Sequence, residues 1–138
     1  MGAWSIESFG NDTACDWAYE LEKTSSLSLV RKTIQRVLDS GNEYLDADVA
    51  TEGIAATEII ARLKGNTGVS DSYTEATEAW VAAHPQLPSQ DLVELAIQAL
   101  DRILDKPSEL LELWEESDEF EAWKNSVIDL RNRAGRLA

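Results

Sequence analysis

Cysteine and histidine are almost missing from this chain of 138 residues, which has one of each. Cys15 can have no partner within the chain, so no internal disulfide is expected. It lies beside Ala14 and Trp17 in a predicted helix, the setting of a buried structural thiol and not of a nucleophile. Zinc hydrolases draw on His and Cys ligands. Ferritin-like di-iron sites need Glu-x-x-His pairs on two helices, and His84 has Val81 in the Glu position. A Ser–His–Asp site would have to use His84, which precedes Pro85 at a predicted helix end. An imidazole there meets the last carbonyls of the helix instead. Gly65 and Gly68 are not followed by the Gly-Lys-Ser/Thr of a phosphate loop. A calcium loop opening at Asp46 has Asp48 in place but lacks its glycine, and Thr57 stands where a glutamate should close it. No cofactor is expected.

Basic residues are also few. Twelve Lys and Arg face 26 Asp and Glu, leaving a net charge of −14 and a pI near 4.3. Phosphate backbones repel such a surface, so nucleic acid is not an expected partner. Anionic membranes repel it too. No apolar run is long enough to span a bilayer, and Glu7 and Asn11 stand where a signal peptide would place basic and apolar residues. The expected location is the cytoplasm. A basic protein would be attracted and steered to this surface.

Proline and glycine number only three and seven, too few for a long disordered chain, while 43% of residues are hydrophobic. Five tryptophans, Trp4, Trp17, Trp80, Trp114 and Trp123, each bring a large apolar area to a core. No stretch alternates apolar and polar residues for long enough to argue a sheet. Helical spacing recurs instead. Asn11 or Asp12 caps a first helix through Glu22, with Ala14, Trp17, Ala18 and Leu21 on one face. Ser25 or Ser26 opens a second, which stops at Gly41. A third runs from about Asp46 to Lys64, with Ala50, Ile54, Ile59, Ile60 and Leu63 inward and Gly53 as a weak point. Residues 65–71 read as a surface loop. Ser72 and Glu75 have capping-box spacing ahead of a short helix that ends at His84. Ser89 caps a fifth helix with Leu92, Leu95, Ala96, Ala99, Leu100, Ile103 and Leu104 on one face. Ser108 opens a sixth, and Ser117 or Asp118 a last one with Phe120, Trp123, Val127, Leu130, Ala134 and Leu137 on its stripe. The expected fold is all-α: a single-domain, irregular antiparallel bundle of about seven helices behind an extended lead-in over residues 1–10.

Between Asp105 and Glu121, eight residues are acidic and only Lys106 is basic. Leu110, Leu111, Leu113, Trp114 and Phe120 run through the same stretch, so it must also pack. Helix electrostatics explain part of this charge: Glu109 and Glu112 favour the start of one helix, and Asp118, Glu119 and Glu121 the start of the next. Glu115 and Glu116 are left over. The candidate partner-binding residues are therefore Glu109, Glu112, Glu115, Glu116, Asp118, Glu119 and Glu121. Asp12, Asp16 and Glu20 line one helix face at four-residue spacing and are the candidate metal ligands, for a hard cation such as magnesium; a solvated helix face is the simpler account.

The opening Met1-Gly2-Ala3-Trp4, then Phe9, Asn11-Asp12, Ala14 and Asp16-Trp17, resembles a bacterial family known as domain of unknown function 4259. The resemblance continues at Ser108-Glu109-Leu110, Leu113-Trp114, Glu115-Glu116-Ser117 and Trp123. Members often carry Gly near positions 5 and 7, where Ser5 and Glu7 stand here. The resemblance implies no activity. Physically, Trp4 and Phe9 can lie over the first helix, Asn11 and Asp12 can cap it, and Trp17 can anchor it; the motif then reads as architecture. The alternative is that it presents Asn11, Asp12 and Asp16 to a ligand.

The resulting expectation is a non-catalytic module that binds a basic protein, as an antitoxin or immunity protein covers the active site of a toxin. A carboxylate-metal enzyme, or a structural module acting as monomer or homodimer, is the alternative.

Overall fold

The computed structural model describes residues 6–136. Seven helices follow one another: α1 (Asp12–Glu22), α2 (Ser28–Asp39), α3 (Ala47–Leu63), α4 (Glu75–Ala83), α5 (Gln90–Ile103), α6 (Glu109–Glu115) and α7 (Phe120–Gly135). Among the described residues there is no sheet; Leu45 and Ser108 form one isolated parallel bridge. No helix is long and apolar enough to cross a membrane, again among the described residues. Trp4 and Leu137 lie outside those residues. Of the lead-in, residues 6–10 turn, with the Gly10 N–H bonded to the Glu7 carbonyl and Phe9 buried.

α3 is the axis of the bundle, packing against all six other helices. Every residue from Gly53 to Arg62 is buried. A helix covered on all sides needs small or apolar residues all round, which is why Ala50, Ala55, Ala56 and Ala61 are there. Gly53 is therefore no weak point. A Cβ built on it would lie 2.6 Å from Cγ2 of Val37, so its bareness sets how closely α2 lies along α3. The stripes of α1, α5 and α7 are buried much as their spacing predicts, with Val93 added on α5.

The helix starts divide. Asn11 Oδ1 accepts from the Ala14 N–H at 2.7 Å, Asp46 from those of Asp48 and Val49, and Ser89 from that of Leu92. The serines proposed elsewhere do not cap. α2 begins at Ser28 behind Leu27, and the Ser26 hydroxyl accepts from the Ser28 N–H and donates to the Ser28 hydroxyl. The Ser72–Glu75 capping box is absent; Thr74 holds the N-cap position of α4, and its hydroxyl accepts from the Asp71 N–H instead. Ser108 precedes α6, but its buried hydroxyl donates to the Ile103 carbonyl. Glu119, not Ser117 or Asp118, is the N-cap residue of α7; Ser117 accepts from the Glu119 N–H. A serine hydroxyl donates as readily as it accepts, so serine alone does not locate a helix start.

The loops ahead of α3 and α6 are tied together. The Leu45 N–H donates to Pro107 O at 3.1 Å and the Glu109 N–H to Leu45 O at 2.9 Å. Arg102 then donates to the carbonyls of Gly41, Glu43, Asp105 and Pro107. These bonds set the N-termini of α3 and α6 side by side.

Candidate functional site

Packing α3, α6 and α7 beside the turn at residues 6–10 leaves a cleft of about 490 Å³. Ile54, Leu110, Leu113, Trp114, Trp123 and Val127 form its apolar wall, and Trp114 and Trp123 stack there with centroids 5.7 Å apart and planes 7° from parallel. Asn11, Asp12 and Thr13 at the head of α1, Asp46 and Asp48 at the head of α3, and Glu109 of α6 stand around it. Three helix N-termini thus converge on one opening. Several of these groups hold the backbone: Glu109 Oε1 accepts from the Ala47 N–H at 2.8 Å, and the Thr13 hydroxyl donates to Asp48 at 3.3 Å. Glu109 therefore supports the start of α3 as well as that of its own helix. Glu7 also lines the cleft, and burial, then Glu58 and Asp71, push its carboxyl above the ordinary range.

The other carboxylates of the acidic stretch lie outside this cleft, and Glu112, Glu116, Asp118, Glu119 and Glu121 are exposed. Glu115 pairs with Lys106 at 3.5 Å. Glu112 takes a hydrogen bond from exposed Tyr44, which raises the phenol. Asp118, Glu119 and Glu121 sit at the start of α7 without capping it through a side-chain bond.

The N-terminal motif divides between core and cleft. Phe9 and Trp17 are buried, and the Trp17 indole N–H donates to Thr33 Oγ1 at 2.9 Å. Asn11 caps α1 and, with Asp12, edges the cleft. Asp16 and Glu20 are exposed further along α1. Among the described residues, no group of three or more His, Cys, Asp or Glu side chains is placed to hold a metal ion. His84 ends α4 with Nδ1 2.9 Å from the Trp80 carbonyl and its ring against that indole. The half-buried Cys15 thiol is pushed up by burial and then by Asp12 and Asp16, and it donates to the Phe9 carbonyl.

A second polar cluster escaped the sequence reading. Glu58 of α3 and Arg133 of α7, 75 residues apart, meet in the interior as a two-bonded fork: Nη1 to Oε2 at 2.6 Å and Nη2 to Oε1 at 3.1 Å. Arg62 Nε stands 3.4 Å from the same carboxylate, and Arg62 Nη1 is 3.2 Å from Glu78. Asp129 takes the Arg133 Nε–H at 2.8 Å. Burial disfavours the Arg133 cation, but Glu58 and then Asp129 more than offset this and hold the guanidinium above the ordinary arginine range. The 65–71 loop closes over the cluster. Arg62 donates to Val69 O and Arg133 to Asn66 O, while a Cβ on Gly68 would stand 2.7 Å from the Arg133 guanidinium carbon. The available signal was only the four-residue spacing of Glu58 and Arg62 inside an Ala- and Ile-rich helix. The fork is closed by its own partners, so its role is to join α3 to α7.

Residues 2–126 of the 138 match a family model described as "Domain of unknown function (DUF4259)". No curated protein matches the chain, and no solved structure does.

Proposed function

The chain belongs to the DUF4259 family, and we propose that it acts as a non-catalytic module that captures a basic protein partner, in the manner of an antitoxin or immunity protein. One observation carries this reading. The turn from α6 into α7 exposes Glu112, Glu116, Asp118, Glu119 and Glu121, and among the described residues no Lys or Arg pairs with any of them. Helix dipoles account for Glu112 in the first turn of α6 and for the acids at the head of α7, but not for Glu116. A basic surface docking there would neutralise the face, and long-range attraction would speed the encounter.

The test begins with capture from the native cell at low salt and identification of the bound protein. Stopped-flow association is then measured for the wild type and for Glu115→Lys/Glu116→Lys. The double reversal should slow association about tenfold and flatten its salt dependence, with little change in dissociation. Unchanged association with the identified partner would refute this surface.

A further inference from the structure

The turn at residues 6–10 is fastened to the bundle by bonds whose other ends are already satisfied. The Ser8 hydroxyl donates to Glu58 Oε1 at 3.1 Å, and the Ser126 hydroxyl of α7 donates to the Ile6 carbonyl at 3.2 Å. Glu58 also holds its fork to Arg133, and the Ser126 hydroxyl also reaches the Trp123 carbonyl at 2.7 Å. Lifting residues 6–8 therefore strands neither Glu58 nor Ser126, and local opening at such a place is cheap. Phe9 behaves differently. It is 1% exposed and plugs the core immediately behind these residues.

What bears on the turn is charge. Glu7 is half-buried beside the acidic side of the interior ion network. Among the described residues, Glu58 of α3, Asp71 of the loop ahead of α4 and Asp129 of α7 repel its carboxylate, and Arg133 of α7 attracts it. Arg62 of α3 is turned to Glu58 and Glu78. Asp12 at the head of α1, Asp46 and Asp48 at the head of α3, and Glu109 of α6 line the same cleft as Glu7 and bring no cation to it. Burial first, and then the three acids against one arginine, raise the Glu7 carboxyl above its ordinary 4.5.

We propose that residues 6–8 form a pH-operated strap: with Glu7 protonated they lie closed on Glu58 and α7, and with Glu7 ionised they lift on the buried Phe9 and open one wall of the cleft. Ile6, Glu7 and Ser8 all line that cleft. The closed strap binds the Glu7 proton more tightly than the lifted one. Its closure is therefore strongest below pH 4.5 and weakens as the pH rises from there through the raised value.

Hydrogen exchange of the whole chain, followed by NMR, tests this through the Gly10 N–H, which closes the turn on the Glu7 carbonyl at 3.0 Å. Its protection, corrected for the intrinsic pH dependence of exchange, is compared from below pH 4.5 to neutrality. In the wild type it should fall severalfold as the pH rises, while N–H groups in the middle of α3 keep a higher protection throughout. Glu7→Gln keeps the size of the side chain and removes its titration, so Gly10 protection should stay level. Asp71→Asn removes one repelling charge but keeps an oxygen for the Tyr73 N–H, and its fall should be smaller than that of the wild type. This second variant decides the matter if Glu7→Gln does not fold. No fall in the wild type, an equal fall in Glu7→Gln or in Asp71→Asn, or Gly10 protection that equals that of α3 at every pH overturns the proposal.

Discussion

Replacing Arg133 with methionine tests the central packing argument. Methionine keeps an unbranched apolar side chain but deletes the cation that answers Glu58, whose side chain is 4% exposed. Glu58 would retain the Ser8 hydroxyl at 3.1 Å and Arg62 Nε at 3.4 Å, the latter too poorly aligned to count as a hydrogen bond. Removing one member of a buried pair costs about 3–5 kcal/mol, and the residual Arg62 contact places this case near the lower end. Against a total stability of about 5–15 kcal/mol, a loss of about 3 kcal/mol should lower the melting temperature by roughly 10 °C. Urea unfolding followed by circular dichroism and tryptophan fluorescence measures it, with the slope against urea unchanged. Adding Glu58→Gln to Arg133→Met removes the stranded charge and should recover part of the loss. Asp101→Asn is the control: it breaks the exposed Arg131–Asp101 pair and should cost at most about 1 kcal/mol. If Arg133→Met costs no more than that control, or if Glu58→Gln recovers nothing, the fork does not hold α3 to α7.

Gly53→Ala should destabilise by about 1–3 kcal/mol despite the higher helix propensity of alanine, because the added carbon meets Val37; a denaturant midpoint equal to or above wild type would contradict this. Glu109→Ala should cost about 1 kcal/mol by freeing the Ala47 N–H, while Glu109→Gln should cost much less; thermal melts of the pair separate the two, and equal losses would show that the bond is not responsible. The Glu78 carboxyl is held below its ordinary value by Ser70 first, then by Thr74 and Arg62. Its stabilisation is therefore present above the unfolded value of 4.5 and is lost as the pH falls through the depressed folded value. The stability advantage of wild type over Glu78→Gln should narrow below that pH, and an advantage constant across acid pH would rule out the linkage.

Much of the helical layout was legible because one-sided burial leaves a period in the chain. α1, α5 and α7 each place large apolar residues three and four apart, and Asn11, Asp46 and Ser89 mark true starts. α3 hid its environment for the opposite reason: its inward stripe of Ala50, Ile54, Ile59, Ile60 and Leu63 marks one side of a helix that is covered all round, so nothing in that stripe placed Glu58 and Arg62 in the interior. The acidic tract was visible as composition, yet the joining of Glu109 to Ala47 depends on two loops meeting across 62 residues. Nothing local encodes that meeting.

Sequence alone determined that this is an acidic, all-helical protein of the DUF4259 family with tryptophans in its core, because charge, composition and helical period are properties of neighbouring residues. Tertiary structure decided which charges face each other: Glu58 with Arg133 inside the bundle, and Asp12, Asp46, Asp48 and Glu109 around one cleft. Electrostatic interaction depends on distance through space and on burial, and only the packed chain sets either.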